Sequence, residues 1–241
     1  MERRDIRKVM PLLEELNRLS RPVLYCPLDL SRQSIEQALV QTSLSDLPHV
    51  GITGLWGAFE DAVEWANSAC GEKPRMFLSL GSMFGNDHFE EAVARLKWLR
   101  SAGLQRPCDT ILLTMDGTKD AAKVCSSYND VQGLFTSFIL QGFEHSNQAL
   151  GAKWYESGDW TLVRKLTRNP TMHRFVLQAN RTFKCPGTEV TIRRGEGIDC
   201  YEGFKYGPDE MAKQFQAAGL KELVRWKCPN DDICKCSGLT Y

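Results

Sequence analysis

The sequence predicts an α/β fold, a mostly parallel sheet flanked by helices with a smaller α+β lobe. Three observations predict it. Apolar runs the length of buried strands alternate with helical periodicity as far as about residue 130. Several of these runs end in polar tips. Pro22-Val-Leu-Tyr-Cys-Pro-Leu-Asp29 and Asp109-Thr-Ile-Leu-Leu-Thr-Met-Asp116 end in acids, while Arg75-Met-Phe-Leu-Ser-Leu-Gly-Ser-Met-Phe-Gly-Asn86 breaks into glycines, Ser82 and Asn86. Beyond about 130 the alternation stops, and short strands follow that are split by Asn-Pro and Cys-Pro-Gly turns. Polar tips at the carboxyl ends of strands, each followed by a helix, are where open α/β sheets bind ligands.

The elements follow in order. Ile6, Val9, Met10, Leu12, Leu13, Leu16 and Leu19 recur at helical spacing, and Pro11 either starts that helix or bends it. A strand is expected at 23–28, a helix at Gln33–Val40 and a weak strand at His49–Leu55, loosened by two glycines. Phe59–Ala69 is helical. A strand at 76–80, an acidic helix from Asp87 through Leu99, a strand at 110–115 and a helix at 119–128 complete the alternating part. Leu134–Leu150 is one long helical pattern, and Trp160–Leu166, Met172–Ala179 and Glu189–Arg193 are short strands. Glu202–Tyr206, the helix Asp209–Ala218 with Gly219 as its stop, and Leu223–Trp226 return to α/β style. The expected organisation is an α/β domain at 1–130, a covering lobe at 131–195 and a return to the α/β domain at 196–241.

Composition excludes several classes. Thirty basic and thirty acidic side chains cancel, so no basic field points to nucleic acid and no basic amphipathic segment to a membrane surface. No apolar run approaches a bilayer span. The start, Met-Glu-Arg-Arg-Asp, lacks the apolar stretch of a signal peptide, so a cytoplasmic protein is expected. The nine cysteines then read mostly as buried reduced thiols. Cys228, Cys234 and Cys236 have the wrong spacing for a zinc knuckle, and no metal is expected. Gly51-Ile-Thr-Gly54 lacks the lysine of a phosphate loop, and there is no Gly-x-Ser-x-Gly elbow.

Four places can carry chemistry. Asp29 fits either an acceptor for ribose hydroxyls or an N-cap for a helix beginning near Ser31. Gly81, Ser82 and Asn86 either present backbone and amide groups to a ligand or form a plain loop, with Asn86 or Asp87 capping the next helix. Asp116-Gly-Thr-Lys-Asp120 is a second ligand rim or a capped helix start. Tyr128 closes a helix and by itself reads as a packing residue.

Taken together, the motifs Arg7-Lys-Val-Met-Pro-Leu-Leu-Glu-Glu-Leu16, Leu24-Tyr-Cys-Pro-Leu-Asp-Leu-Ser31, Gly57-Ala-Phe-Glu-Asp61, Leu80-Gly-Ser-Met-Phe-Gly-Asn86, Asp116-Gly-Thr-Lys-Asp-Ala-Ala122 with Tyr128, Phe138-Ile-Leu-Gln-Gly-Phe-Glu-His-Ser-Asn147 and Tyr201-Glu-Gly-Phe-Lys-Tyr206 resemble one family. It is the histidine-specific methyltransferase family of ergothioneine synthesis, with its fungal branch of 4-dimethylallyltryptophan N-methyltransferases. The resemblance implies a class I (Rossmann-like) methyltransferase sheet with a substrate-covering lobe, S-adenosylmethionine as cofactor and a small amino-acid-like substrate. By the same resemblance, Lys8, Asp29, Ala58, Phe59, Gly81 and Ser82 belong to the cofactor site. Asn86 and Tyr128 match residues gripping the amine and carboxylate of the substrate, and Phe175, Tyr201, Glu202 and Gly203 belong to its side-chain pocket. No catalytic base is nominated, because a sulfonium methyl needs alignment with a neutral amine more than it needs a nucleophile.

The chain departs from the family at three points. The central strand and glycine loop that precede the lysine in relatives are missing before Lys8, which implies a truncated cofactor domain and weak cofactor binding. Ala58 stands where an acid is expected. The glutamate that holds imidazole in the histidine enzymes aligns with Tyr201, or with Glu202 if the register slips by one, and the usual serine is Gly203. Tyrosine and glycine there suit a larger aromatic substrate, an indole rather than an imidazole. The segment from Cys228 to Tyr241 does not resemble the usual closing strand. The expected function is N-methylation of an aromatic amino acid, with a histidine N-methyltransferase or a non-catalytic binding remnant as the alternatives.

Overall fold

The computed structural model describes residues 8–41, 46–227 and 233–239. Helix α1 (Met10–Arg18) carries Pro11 in its first turn, where a missing N–H leaves no helical bond unmade. Its Leu13, with Val9, packs on Leu47 and Val50 and against Val23, Tyr25, Leu78 and Leu80. The strand expected at 23–28 is two pieces, β1 (Val23–Tyr25) and β2 (Leu28–Asp29). Pro27 lies between them and has no N–H to offer a ladder. Helix α2 (Arg32–Gln41) follows. The weak strand at 49–55 is likewise split into β3 (Val50–Ile52) and β4 (Leu55–Trp56). Gly54 in that break is required by packing, since a Cβ there would lie 2.2 Å from Ile35 of α2. The pieces pair in step, β1 parallel with β3 and β2 parallel with β4.

Helix α3 (Phe59–Ala69) and strand β5 (Met76–Ser79) lie close to their expected bounds. Helix α4 (Phe89–Ala102) begins at His88 as N-cap, so neither Asn86 nor Asp87 caps it. Strand β6 (Thr110–Asp116) alternates, burying Ile111, Leu113 and Met115, and pairs parallel with β5. The larger sheet has the order β12 (Lys221–Lys227), β13 (Ile233–Leu239), β6, β5, with β13 antiparallel to both neighbours. The segment that did not resemble a closing strand therefore contains one. Its sequence, Ile-Cys-Lys-Cys-Ser-Gly-Leu, is a poor strand signal by propensity, and ladders on both sides supply what propensity lacks. The β1–β3 and β2–β4 ribbons form separate small sheets, and the apolar cluster under α1 packs β1 and β3 against Leu78 and Leu80 of the β5 segment.

After α5 (Ala121–Tyr128) and α6 (Leu134–Leu150) the chain makes an antiparallel sheet of β7 (Trp160–Arg168), β8 (Thr171–Ala179) and β11 (Gly197–Phe204), in the order β11-β8-β7. Between β8 and β11 lies a ribbon of β9 (Phe183–Lys184) and β10 (Thr191–Ile192), so the strand expected at Glu189–Arg193 shrinks to two residues. Strand β11 starts at Gly197, earlier than the Glu202 expected, and pairs with β8. The sheet that contains β7 and β8 thus runs to Phe204, past the expected edge at 195; Gly197-Ile-Asp-Cys alternates in burial, but it follows a glycine turn and is too short and polar to stand out as a strand. Helix α7 (Pro208–Ala218) ends at Gly219 with φ 71°, as its stop signal predicts. The main core joins β6, α4 and α7 around Leu96, Ile111, Leu113, Met211 and Phe215.

The cysteine expectation needs correction. The six described cysteines are free thiols, but five are half-buried and Cys108 is exposed. None is among the fully buried residues, although Cys200 packs against two apolar clusters; burial pushes the Cys26 thiol up to about 11. The side chains of Cys228, Cys234 and Cys236 lie outside the described residues.

Candidate functional site

The first group of residues lies at the tips of β2, β4 and β5. Asp29 ends β2 and its Oδ1 accepts the Ser31 N–H at 2.8 Å. It makes the turn into α2 that one reading expected, from the strand tip that the other reading needs. Trp56 Nε1 donates to the Leu30 carbonyl at 2.9 Å and ties the tips of β2 and β4. Ala58 precedes α3 and donates its N–H to Asp61 Oδ2 at 2.7 Å. Phe59 meets Phe84 edge-on, ring centroids 6.4 Å apart, which brings the tip of β4 against the loop after β5.

That loop turns through Gly81 (φ 123°), Ser82 (φ 59°) and Gly85 (φ 79°). Ser82 tolerates a left-handed conformation because it is held twice: its N–H donates to the Thr114 carbonyl at 2.9 Å, and its Oγ accepts the Asp116 N–H at 2.7 Å. Ser82 therefore pins the loop to β6. A Cβ at Gly81 would stand 3.0 Å from Lys8 Nζ, so the lysine lies close over the glycine. Lys8, Asp29, Ala58, Phe59, Gly81 and Ser82 thus gather around neighbouring strand tips.

The second group is aromatic and lies between α5, α6 and the lobe sheet. Tyr128, the last residue of α5, is buried and stacks on His173 with ring centroids 4.5 Å apart. Phe135 stands edge-on to it at 5.0 Å, and Tyr201 lies tilted against it at 6.0 Å. Phe175 is fully buried and stacks on Phe135 at 5.3 Å. Gly203 does not leave open room beside them: a Cβ there would lie 2.3 Å from the Tyr128 hydroxyl, so the tyrosine itself fills the space. Lys205, at 7% exposure, reaches into this group from the end of β11. Its Nζ pairs with Asp116 Oδ2 at 2.7 Å and donates to the Tyr128 hydroxyl at 3.0 Å. Burial alone would lower the lysine's pKa, but the bonds to Asp116 and Tyr128 outweigh it and hold the ammonium charged. His173 goes the other way. Burial, then Arg164 and Lys205, push it down to about 4, so its imidazole is neutral, and its Nδ1 is buried without a partner.

The remaining candidates face away from that group. Along β11, Tyr201, Gly203 and Lys205 point to Tyr128, so Glu202 points to the other face. There Glu202 meets His88 Nε2 at 3.1 Å and Arg174 Nε at 3.5 Å. Asn86 Oδ1 accepts the Phe204 N–H at 2.7 Å, and its Nδ2 donates to the Glu202 carbonyl at 3.5 Å. Asn86 is thereby a latch between the glycine loop and β11. A surface cleft of about 300 Å3 opens on this face, lined by Asn86, Asp87, His88, Asp199, Tyr201 and Glu202 among others. The structure therefore groups Tyr128, Phe175 and Gly203 with Tyr201, places Asn86 and Glu202 on the cleft side, and has Tyr201 border both, since it also lines the cleft.

Sequence reading missed Lys205, Asp116 and His173 as a unit with Tyr128. Asp116 and Lys205 both lie in motifs singled out above, but no local pattern links positions so far apart in the chain. Among the described residues no cluster of three or more His, Cys, Asp or Glu could hold a metal, and no helix is long and apolar enough to cross a membrane.

Comparison with known proteins bears on these groups. Residues 4–237 match the profile of the family described as histidine-specific methyltransferase, SAM-dependent. Ergothioneine biosynthesis protein 1 of Neurospora crassa is 29% identical over 233 residues, covering 94% of this chain and 26% of that protein. N-methyltransferase imqF of Aspergillus flavus is 25% identical over 228 residues, covering 92% and 62%. 4-Dimethylallyltryptophan N-methyltransferase ifgB of Penicillium roqueforti is 26% identical over 238 residues, covering 94% and 69%. The chain spans about a quarter of the first of these relatives and less than two thirds of the second.

Proposed function

The chain belongs to the family of histidine-specific, SAM-dependent methyltransferases, and from that premise we propose that it N-methylates the amine of an aromatic amino acid, an indole in preference to histidine. The strand-tip residues fit the cofactor. Gly81 keeps open a place that any Cβ would fill against Lys8, and Asp29 offers a carboxylate at the end of β2. Lys8, Asp29, Ala58, Phe59, Gly81 and Ser82 would hold it. When bound, the cofactor supplies an already activated sulfonium methyl.

The chain's own residues then have three tasks: to bind the amino acid, to hold its amine in line, and to keep water out. Catalysis of this kind rests on proximity and orientation, so no nucleophile is required. Tyr128 with Lys205 supplies polar anchoring, and Phe135, Phe175 and Tyr201 supply ring area.

One observation carries the substrate preference. Tyr201, and not Glu202, shares a face of β11 with Tyr128 and Phe175. The acid in that neighbourhood, Asp116, is engaged by Lys205, and the imidazole there, His173, is neutral. An aromatic group without an available carboxylate rewards an indole's larger ring area over an imidazole's and offers no counter-charge to an imidazolium. The test is competition: histidine, tryptophan and 4-dimethylallyltryptophan are offered together and methylated products are counted. Indole products should dominate. The second reading, histidine as substrate, is favoured by the 29% identity to ergothioneine biosynthesis protein 1 and wins if histidine products dominate. No methylated product from any amine would favour a binding role.

A further inference from the structure

Helix α7 buries Met211, Gln214, Phe215 and Ala218, the stripe that an amphipathic helix turns to the core. Gln214 is the polar member of that stripe. It is fully buried, and its side-chain oxygen and nitrogen both lack a hydrogen-bond partner. A buried amide that bonds nothing is costly, and an apolar residue of similar shape would remove the cost. Packing alone gives no reason for a glutamine here.

The amide faces the glycine loop. A Cβ on Gly85 would lie 3.5 Å from Gln214 Oε1 and 3.7 Å from Met115 Cε. Gly85 is buried and has φ 79°, a conformation that glycine takes without strain. Neighbouring N–H groups of the loop are engaged: Ser82 donates to the Thr114 carbonyl, Phe84 to Ser79 Oγ at 3.2 Å and Asn86 to the Met83 carbonyl at 3.4 Å. The Gly85 N–H has no acceptor among the described residues. An unused acceptor thus stands beside an unused donor.

The same turn joins two parts of the site. On one side Phe84 meets Phe59, and Gly81 lies under Lys8, in the cofactor group. On the other, Asn86 latches β11. We propose that Gln214 is a positioning residue for this turn: its amide oxygen accepts the Gly85 N–H when the loop closes on S-adenosylmethionine, and the bond fixes Phe84 against Phe59 on the cofactor side. The inference rests on the placing of the cofactor at the strand tips and adds what holds the loop there. Ser82 is held to β6 and Asn86 to β11, so the change falls on the glycine between them. Because the bond forms on closing, the unpaired amide disfavours the open loop and the paired one favours the closed loop, and the cofactor shifts the balance.

The experiment sets stability against affinity. Gln214→Met replaces the amide by an unbranched apolar chain of similar length. Without ligand, the variant's thermal midpoint should rise by about 2–4 °C, since an unpaired buried amide is gone. Its affinity for S-adenosylhomocysteine, titrated calorimetrically, should fall roughly 3- to 10-fold, the order expected for one lost hydrogen bond. A residue that only packs does not move the two in opposite directions. Hydrogen exchange in wild type with labelled glycine reads the bond without any variant, and so decides the matter if Gln214→Met fails to fold. Saturating S-adenosylhomocysteine should slow exchange of the Gly85 amide severalfold and leave that of Gly219, already bonded to the Gln216 carbonyl, nearly unchanged. A lower midpoint in Gln214→Met means that the amide was bonded without the cofactor, and the inference fails. An affinity within twofold of wild type, or Gly85 exchange that the ligand leaves unchanged, overturns it as well. If wild type does not bind S-adenosylhomocysteine, the placing of the cofactor is what has failed, and this inference falls with it.

Discussion

Strand β6 carries a carboxylate at each end, and the two ends behave differently. Asp109, just before the strand, is fully buried and saturated. It accepts from the backbone N–H and the Nε of Arg75, both at 3.2 Å, pairs again with the Arg75 guanidinium, and accepts the Arg106 N–H at 3.1 Å. Arg75 spends another donor on the Gly103 carbonyl at 2.9 Å. Burial would raise the Asp109 pKa, but the Arg75 and Arg106 contacts outweigh it and the acid is held below its ordinary range. Asp116, at the far end, is partly exposed and shares its cation with a tyrosine hydroxyl. One end is closed and complete. The other joins a loop with left-handed backbone, a neutral histidine and a phenol. In a parallel pair of strands the carboxyl ends are where chemistry is built, and the amino ends can be sealed for stability.

The strongest way to break this comparison is at the sealed end. Asp109→Asn leaves the Arg75 charge buried without its counter-charge and should cost about 3–5 kcal/mol in urea unfolding. Cofactor affinity of the folded fraction should not change. Replacing Arg75 and Asp109 together by apolar residues should recover much of the loss, because both desolvation costs then vanish. A weakened cofactor affinity in folded Asp109→Asn would mean that the two ends are not separable.

The open end is tested by pH. His173 is neutral in the folded chain down to about 4, whereas unfolded histidine takes its proton near 6.5. The unfolded state therefore binds the extra proton first. The stability this residue contributes is complete above pH 6.5 and is lost as the pH falls to about 4, up to roughly 3 kcal/mol. His173→Phe, which keeps the stack on Tyr128, should flatten that slope. Parallel unfolding curves for the two proteins from pH 7 to 4 would show that the imidazole does titrate in place.

The smallest effect sharpens the picture of the aromatic group. Gly203→Ala would bring a methyl 2.3 Å from the Tyr128 hydroxyl and should destabilise by about 1–3 kcal/mol, the usual cost of overpacking. In a Tyr128→Phe background most of that cost should disappear, since the closest atom is gone. Equal costs in both backgrounds would mean that the strain lies in the strand and not at the tyrosine.

Much of the frame was legible in the chain. Helices α3 and α6 have the bounds their periodicity predicts, because amphipathic spacing and a following glycine are local signals. Strand ends at Asp29 and Asp116 were legible for the same reason, an apolar run stopped by an acid. The N-cap at Asp120, which accepts from the N–H groups of Ala122 and Lys123, was one of two readings and is the one its geometry makes. The site was less legible. The latch from Asn86 to β11 and the fit of the Tyr128 hydroxyl against Gly203 had no signal in the chain. Both depend on partners far away in sequence.

What the sequence determined by itself was the α/β class, the alternating elements, the polar strand tips and the family to which their ordered motifs belong. Only the tertiary structure decided which face of β11 each residue serves. Side chains alternate along a strand, so a shift of one position exchanges Tyr201 and Glu202 between the face that packs on Tyr128 and the face that meets His88 and Arg174. Sequence could name both registers. The choice is made by the pairing of β11 with β8, where an irregularity between Asp199 and Tyr201 resets the alternation, and by the anchoring of Lys205 between Asp116 and Tyr128. Those are contacts between residues brought together by folding, and no local pattern encodes them.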